Sequence, residues 1–307
     1  MKLVQKILVP GLTAAALTQA ASAFGEDPAK VEWSDSWRRV QLWEVIDALV
    51  LTVGDTEFED RVPLPSHASW TQPILFDTWA RNLLRGRTAA IQSFASTSTN
   101  IMYQGGALVP FMMDDYFAAA GIHQNADVAW QLAVVDFQAY GVAGLVSLAA
   151  EHGVGRMRPY VLSCDAHGQV LDAQGHVLQT CGGGNDFRSF YSGHATATAT
   201  TAGLVCVHHQ HLPLFGGGFA DLAPCLVMIG VSAATGVLRV VYDEHWASDV
   251  MVGWLDGVLS GYVMPSLLHF GFGSDRPVGE VKSGTLDMVP TLLPRPGGTE
   301  LGMIGVF

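Results

Sequence analysis

The sequence is poor in lysine: Lys2, Lys6, Lys30 and Lys282 are the only four in 307 residues. Charged residues make up 14% of the chain, and the net charge is −12. That excludes a general positive field for nucleic acid, so a phosphate-bearing ligand would need a local cluster of arginines. The four cysteines form no C-x-x-C pair, which argues against a zinc ribbon or a thioredoxin-like site. No repeat of 20–50 residues occurs. Strand signals are few; Leu238-Arg239-Val240-Val241 is β-branched but short. Disorder is excluded, because 49% of the residues are hydrophobic.

The start has the grammar of an export signal. Lys2 and Lys6 precede an uncharged, largely apolar run from Ile7 to Ala20. Ala21-Ser22-Ala23 then supplies a small-x-small cleavage pattern. We therefore expect residues 1–23 to be a signal peptide and the protein to be exported, periplasmic or in the cell envelope, with an integral membrane protein as the alternative. Export favours disulfides. Cys164 and Cys181 flank one Gly-rich polar stretch and are the expected pair. Cys206 and Cys225 lie in apolar segments, either paired across two helices or left as buried thiols.

Residues 24–40 read as a mobile lead-in, 41–54 as helix and 55–80 as loop. A helical stretch around 78–95 carries Arg81, Arg85 and Arg87. Apolar segments near 98–121, 127–151, 193–211, 222–242 and 246–270 are long enough for helices. The fold class is all-α, a bundle of about six core helices. It divides into a lead-in with loop and helices over 24–97, the bundle over 98–273 and an irregular tail over 274–307. Asp136, Asp256, Asp114 and Asp115 lie inside apolar segments, where lipid would make them costly. This favours an exported bundle, membrane-associated, over an integral membrane protein.

Three segments at helix ends carry chemistry: Gly155-Arg156-Met157-Arg158-Pro159, Ser189-Phe190-Tyr191-Ser192-Gly193-His194, and Arg239 with His245 and Asp249. Up-and-down connectivity brings all three to one end of a bundle. Arg158 and Arg239 suit an oxyanion through planar, bidentate donors, with Arg156 a third candidate. Ser192 and Gly193 start a helix, whose amides and dipole favour an anion. His245 and Asp249, at i and i+4, can share a helical face; Asp249 then orients the ring and frees a lone pair for attack. His194 sits beside the anion cradle as a general acid.

In this order the segments resemble the type 2 phosphatidic acid phosphatase (PAP2) / vanadium haloperoxidase superfamily. Its signature is Lys-x6-Arg-Pro, then Pro-Ser-Gly-His, then Ser-Arg-x5-His-x3-Asp. Here these stand as Glu151-x6-Arg158-Pro159, Tyr191-Ser192-Gly193-His194 and Leu238-Arg239-x5-His245-x3-Asp249. The resemblance implies His245 as the nucleophile that forms a phosphohistidine, Asp249 as its orienter and His194 as the acid. It gives Arg158, Arg239, Ser192 and Gly193 to phosphate. The implied activity is hydrolysis of a phosphomonoester or diphosphate, a lipid phosphate or a small soluble ester, without a metal. The alternatives are a non-catalytic anion-binding relative and a vanadate-dependent haloperoxidase, in which vanadate would be the cofactor. Glu151 replaces the lysine, and no local lysine can substitute. Arg156 is then the expected replacement charge, with Glu151 turned away or paired to it.

Other features receive quieter readings. His208-His209-x-His211 reads as a loop rather than a metal site. Gly182-Gly183-Gly184 is slack between motifs. Trp246 is either a site wall or a core residue, and Asp243 and Glu244 are solvated acids or partners behind the site residues, the first reading being favoured.

Overall fold

A computed structural model describes residues 31–272, together with the backbone of two strands at Asp287–Arg295 and Gly298–Val306. The expected signal peptide and Lys282 lie outside the described residues. Residues 31–272 form one compact unit, and the two strands belong to a second.

The first unit is an all-α bundle. Its helices are α1 (Leu42–Arg61), α2 (Asp77–Leu84), α3 (Ala89–Ala107), α4 (Ala126–Val154), α5 (Gly193–His211), α6 (Phe219–Val241) and α7 (Ala247–Val258). A π-helical segment, Pro110–Ile122, joins α3 to α4, and further π-helical turns extend α7 to Phe270. Caps fix the starts: Asn125 accepts from the amide of Val128, Thr88 from Ile91 and Ser192 from Ala195. Gly155 ends α4 in the left-handed region at φ 64°, where its carbonyl accepts from Ser69.

The core packs α5 against α6, α7 and α4. One contact sets the geometry of the site end. Gly253, Gly257 and Gly261 recur every four residues along α7 and its extension, facing α5. A Cβ on Gly253 would stand 2.7 Å from the carbonyl oxygen of Ser192, and one on Gly257 would overlap that of Thr196. Backbones at this approach admit only hydrogen at those positions. Two disulfides staple the unit. Cys164–Cys181 closes the loop containing β1 (Gln169–Leu171) and β2 (Val177–Thr180), and Cys206–Cys225 ties α5 to α6.

Several expectations need correction. Residues 31–40 are not a mobile lead-in. Trp33 and Trp37 are buried against Leu132, Val207 and Phe270, because two indoles bury more apolar area than a loose segment can leave in water. Helix α1 continues through the acidic residues to Arg61, where Glu57 and Arg61 pair one turn apart. The stretch at 78–95 is two helices, broken where the Gly86 amide donates to the carbonyl of Val241. Leu238–Val241 is the end of α6, not a strand.

The tail is not wholly irregular: β3 (Asp287–Arg295) and β4 (Gly298–Val306) pair antiparallel. Pro290 and Pro294 are an even number apart, so one side of a two-stranded ladder leaves both ring nitrogens unpaired.

Among the described residues, three helices are long and apolar enough to cross a membrane: Ala126–Val154, Phe219–Val241 and Ala247–Phe270. Outward-facing residues are apolar too, among them Leu49 and Val50 on α1 and Leu226, Val227 and Ile229 on α6. This exterior is compatible with membrane association.

Candidate active site

The three motif segments meet through their backbones. The amide of Ser189 donates to the carbonyl of Arg156, and that of Arg158 to Asp186. The Tyr160 amide reaches Asp243, and the Ser192 amide reaches Asp249. Around this junction opens a cavity of about 630 Å³. Five of the eight residues predicted for the site line it: Arg158, Gly193, His194, Arg239 and His245. Apolar residues also line it, among them Leu108, Phe111, Phe137 and Leu148.

His245 is buried, and its Nδ1 lies 2.7 Å from the carbonyl oxygen of Ser189. A carbonyl only accepts, so Nδ1 carries the proton and Nε2 keeps the lone pair. Burial, together with the Arg239 and Arg158 cations, holds this imidazole well below its ordinary value. It is therefore neutral and fit for attack. The His194 ring packs tilted against Tyr103, centroids 4.7 Å apart, and its Nε2 meets Asn100 Oδ1 at 3.0 Å. Burial and the same two arginines push it down to about 3.

Asp249 makes no hydrogen bond to His245. Helix α7 begins at Ala247, so His245 precedes it and the expected shared helical face does not exist. Asp249 instead accepts from the Trp246 amide at 3.0 Å and from Ser189 Oγ at 2.6 Å, and it pairs with Arg156. It thus fixes His245 through Ser189, the residue whose carbonyl holds the ring.

Arg156 is also corrected. It is 1% exposed, absent from the cavity lining, and it bridges Asp249 to Asp77 with its guanidinium 3.9 Å over Trp70. Its two terminal nitrogens are taken by Asp249, Ser248 and Asp77, and its unpartnered Nε is buried outside the cavity lining. Ser192 is fully buried and serves as the α5 cap, while the first amides of that helix are the orphan donors of any helix start.

The residue paired with Glu151 is Arg188, not Arg156. Arg188 Nε donates to Glu151, and its two terminal nitrogens bind Glu59 at 2.7 Å each. Glu151 and Arg188 both line the cavity. Burial pushes Glu151 above the usual carboxylate range, against the pull of Arg188 and Arg158. Arg158 pairs with Glu244, whose carboxylate also lies 3.7 Å from Arg239.

Asp243 and Glu244 are accordingly buried partners, not solvated acids; Asp243 receives Arg81 at 2.6 Å and Arg85 at 3.0 Å. Trp246 is a core residue, donating from Nε1 to the carbonyl of Met157.

A model of the PAP2 superfamily matches residues 134–271. Residues 134–271 belong to the PAP2 superfamily. The matched stretch holds all three motif segments and most of the cavity wall. No curated protein and no solved structure matches the chain. Against the PAP2 signature, the lysine position holds a carboxylate, and a guanidinium from just before the second motif stands beside it. Sequence reading missed Arg188, Glu59, Asn100 and Tyr103. Arg188 directly precedes the second motif, and that adjacency was the only available signal. The partners on α1 and α3 are distant in sequence and carry no pattern.

Proposed function

We propose that this protein is a phosphohydrolase that works through a phosphohistidine at His245 and prefers a substrate with an apolar tail. The observation that carries this reading is one cavity lined by Arg158, Arg188, Arg239, His194 and His245 together with apolar residues such as Leu108, Phe111 and Phe137. Arginines and the α5 amides would hold the phosphoryl oxygens. His245 Nε2 attacks phosphorus, the P–O bond to the leaving group breaks, and His194 protonates the departing oxygen. Water then cleaves the P–N bond, with His194 taking its proton. His194 is neutral at rest. A bound dianion offsets the arginine field and raises its affinity for the proton it must donate. Asp249, Ser189 and Arg156 keep His245 in the attacking tautomer.

The apolar outer faces and the two disulfides support an exported, membrane-associated protein. The reading is tested by phosphate release from a short-chain phosphatidate and from a soluble phosphomonoester, with His245→Ala alongside. The expected result is release that falls at least about 1,000-fold in the variant and favours the phosphatidate. Equal release by the variant would overturn it, as would halide oxidation dependent on added vanadate. Glu151 favours one second reading, a non-catalytic anion binder, which predicts phosphate binding without turnover.

A further inference from the structure

One buried cluster takes no part in this chemistry. It lies near the other end of α5, fifteen residues beyond Gly193 and so about 22 Å along the helix. The histidines there are helical and buried, not in the expected loop. His208 Nδ1 meets Asp114 Oδ2 at 3.0 Å, and His208 Nε2 lies 3.3 Å from Asp136 Oδ1. Asp115 completes the group: ligand atoms of Asp115, Asp136 and His208 all lie within 4.8 Å of one another.

These side chains are 5%, 0% and 0% exposed. Among the described residues, no hydrogen-bond partner meets either carboxylate oxygen of Asp115 or of Asp136, or His208 Nε2. Apart from the His208 ring edge 3.3 Å from Asp136 Oδ1, nothing among the described residues offsets these two buried carboxylates, an arrangement that a cation between them would stabilise.

The surroundings are those of a metal-binding histidine. Asp114 accepts from His208 Nδ1–H, so an entering metal ion need displace only a proton at Nε2 to take the lone pair that faces the two carboxylates. Asp114 also lies 3.2 Å from His209 Nε2, and His209 Nδ1 meets Asp221 at 2.6 Å. The ligands come from three elements, the π-helical segment, α4 and α5, so a shared ion would lock them together. We propose that Asp115, Asp136 and His208 form a structural site for a divalent transition-metal ion, one imidazole and two carboxylates being a donor set suited to Zn²⁺. Small side-chain rotations bring these donors to the about 2.0–2.2 Å that zinc requires.

The test uses untagged full-length protein, incubated with Zn²⁺, desalted and assayed for metal by mass spectrometry. The expected result is about one zinc per chain, a melting temperature that falls on chelation, and loss of the metal in the Asp115→Asn/Asp136→Asn double variant. X-ray absorption on the wild type keeps the test decisive should the variant not fold. The site predicts one imidazole with oxygen neighbours at about 2.0–2.2 Å and no sulfur. Wild-type protein without bound zinc would overturn the proposal. So would full zinc occupancy in a folded double variant, or an absorption spectrum dominated by several imidazoles.

Discussion

Glu151 is the residue that most separates this site from the PAP2 signature, and its consequence is electrostatic. A carboxylate lining the cavity opposes a dianionic phosphate, while burial raises its affinity for a proton. Protonation removes the opposing charge, so lower pH aids substrate binding. KM is expected to fall as the pH is lowered, and Glu151→Gln to lower KM several-fold where the wild-type carboxyl is ionised and flatten that trend. A variant whose KM profile matches wild type would contradict this role. At this scale the sequence was partly legible. Arg239 and His245 are set by motif spacing, and both reach the cavity. The direct Asp249–His245 contact was misread because i, i+4 logic assumes a helix already under way, whereas here the helix starts two residues after His245. Arg156 was misassigned because an arginine beside a motif looks the same whether it faces a ligand or two buried carboxylates.

Among the elements, α5 and α7 decide the site. The cap of α5 supplies Ser192 and Gly193, and the segment entering α7 supplies His245. Their separation is held by the glycines at 253, 257 and 261. In Gly257→Ala, the new methyl overlaps the Thr196 carbonyl, a rigid backbone atom. That overlap should cost about 1–3 kcal/mol of stability and move His245 relative to Gly193, lowering turnover more than stability alone explains. Thermal unfolding and kcat of the same preparation check this; unchanged values in both would mean the helices are not in close contact. The helices themselves were legible from their apolar runs, and so was their convergence at one end. The break between α2 and α3 was not, since it depends on a carbonyl at the far end of α6. The β3–β4 pairing was hidden because prolines read as irregularity.

For the whole molecule, the question is what its apolar exterior meets. Leucines, valines and isoleucines on the outer faces of α1 and α6 would aggregate in water unless covered. The expected outcome is recovery in the membrane fraction and a monodisperse protein only in detergent; a monodisperse protein without detergent would contradict it. The apolar residues lining the cavity would then suit the tail of a lipid phosphate. The central claim is covalent transfer to that histidine. The most direct measurement is a quenched single turnover with phosphorus-labelled substrate, the label mapped by mass spectrometry. The account predicts an acid-labile phosphoryl group on His245 that accumulates and decays within the turnover and is missing from His245→Ala. Product formed with no labelled protein at any time, and formed equally by His245→Ala, would contradict it.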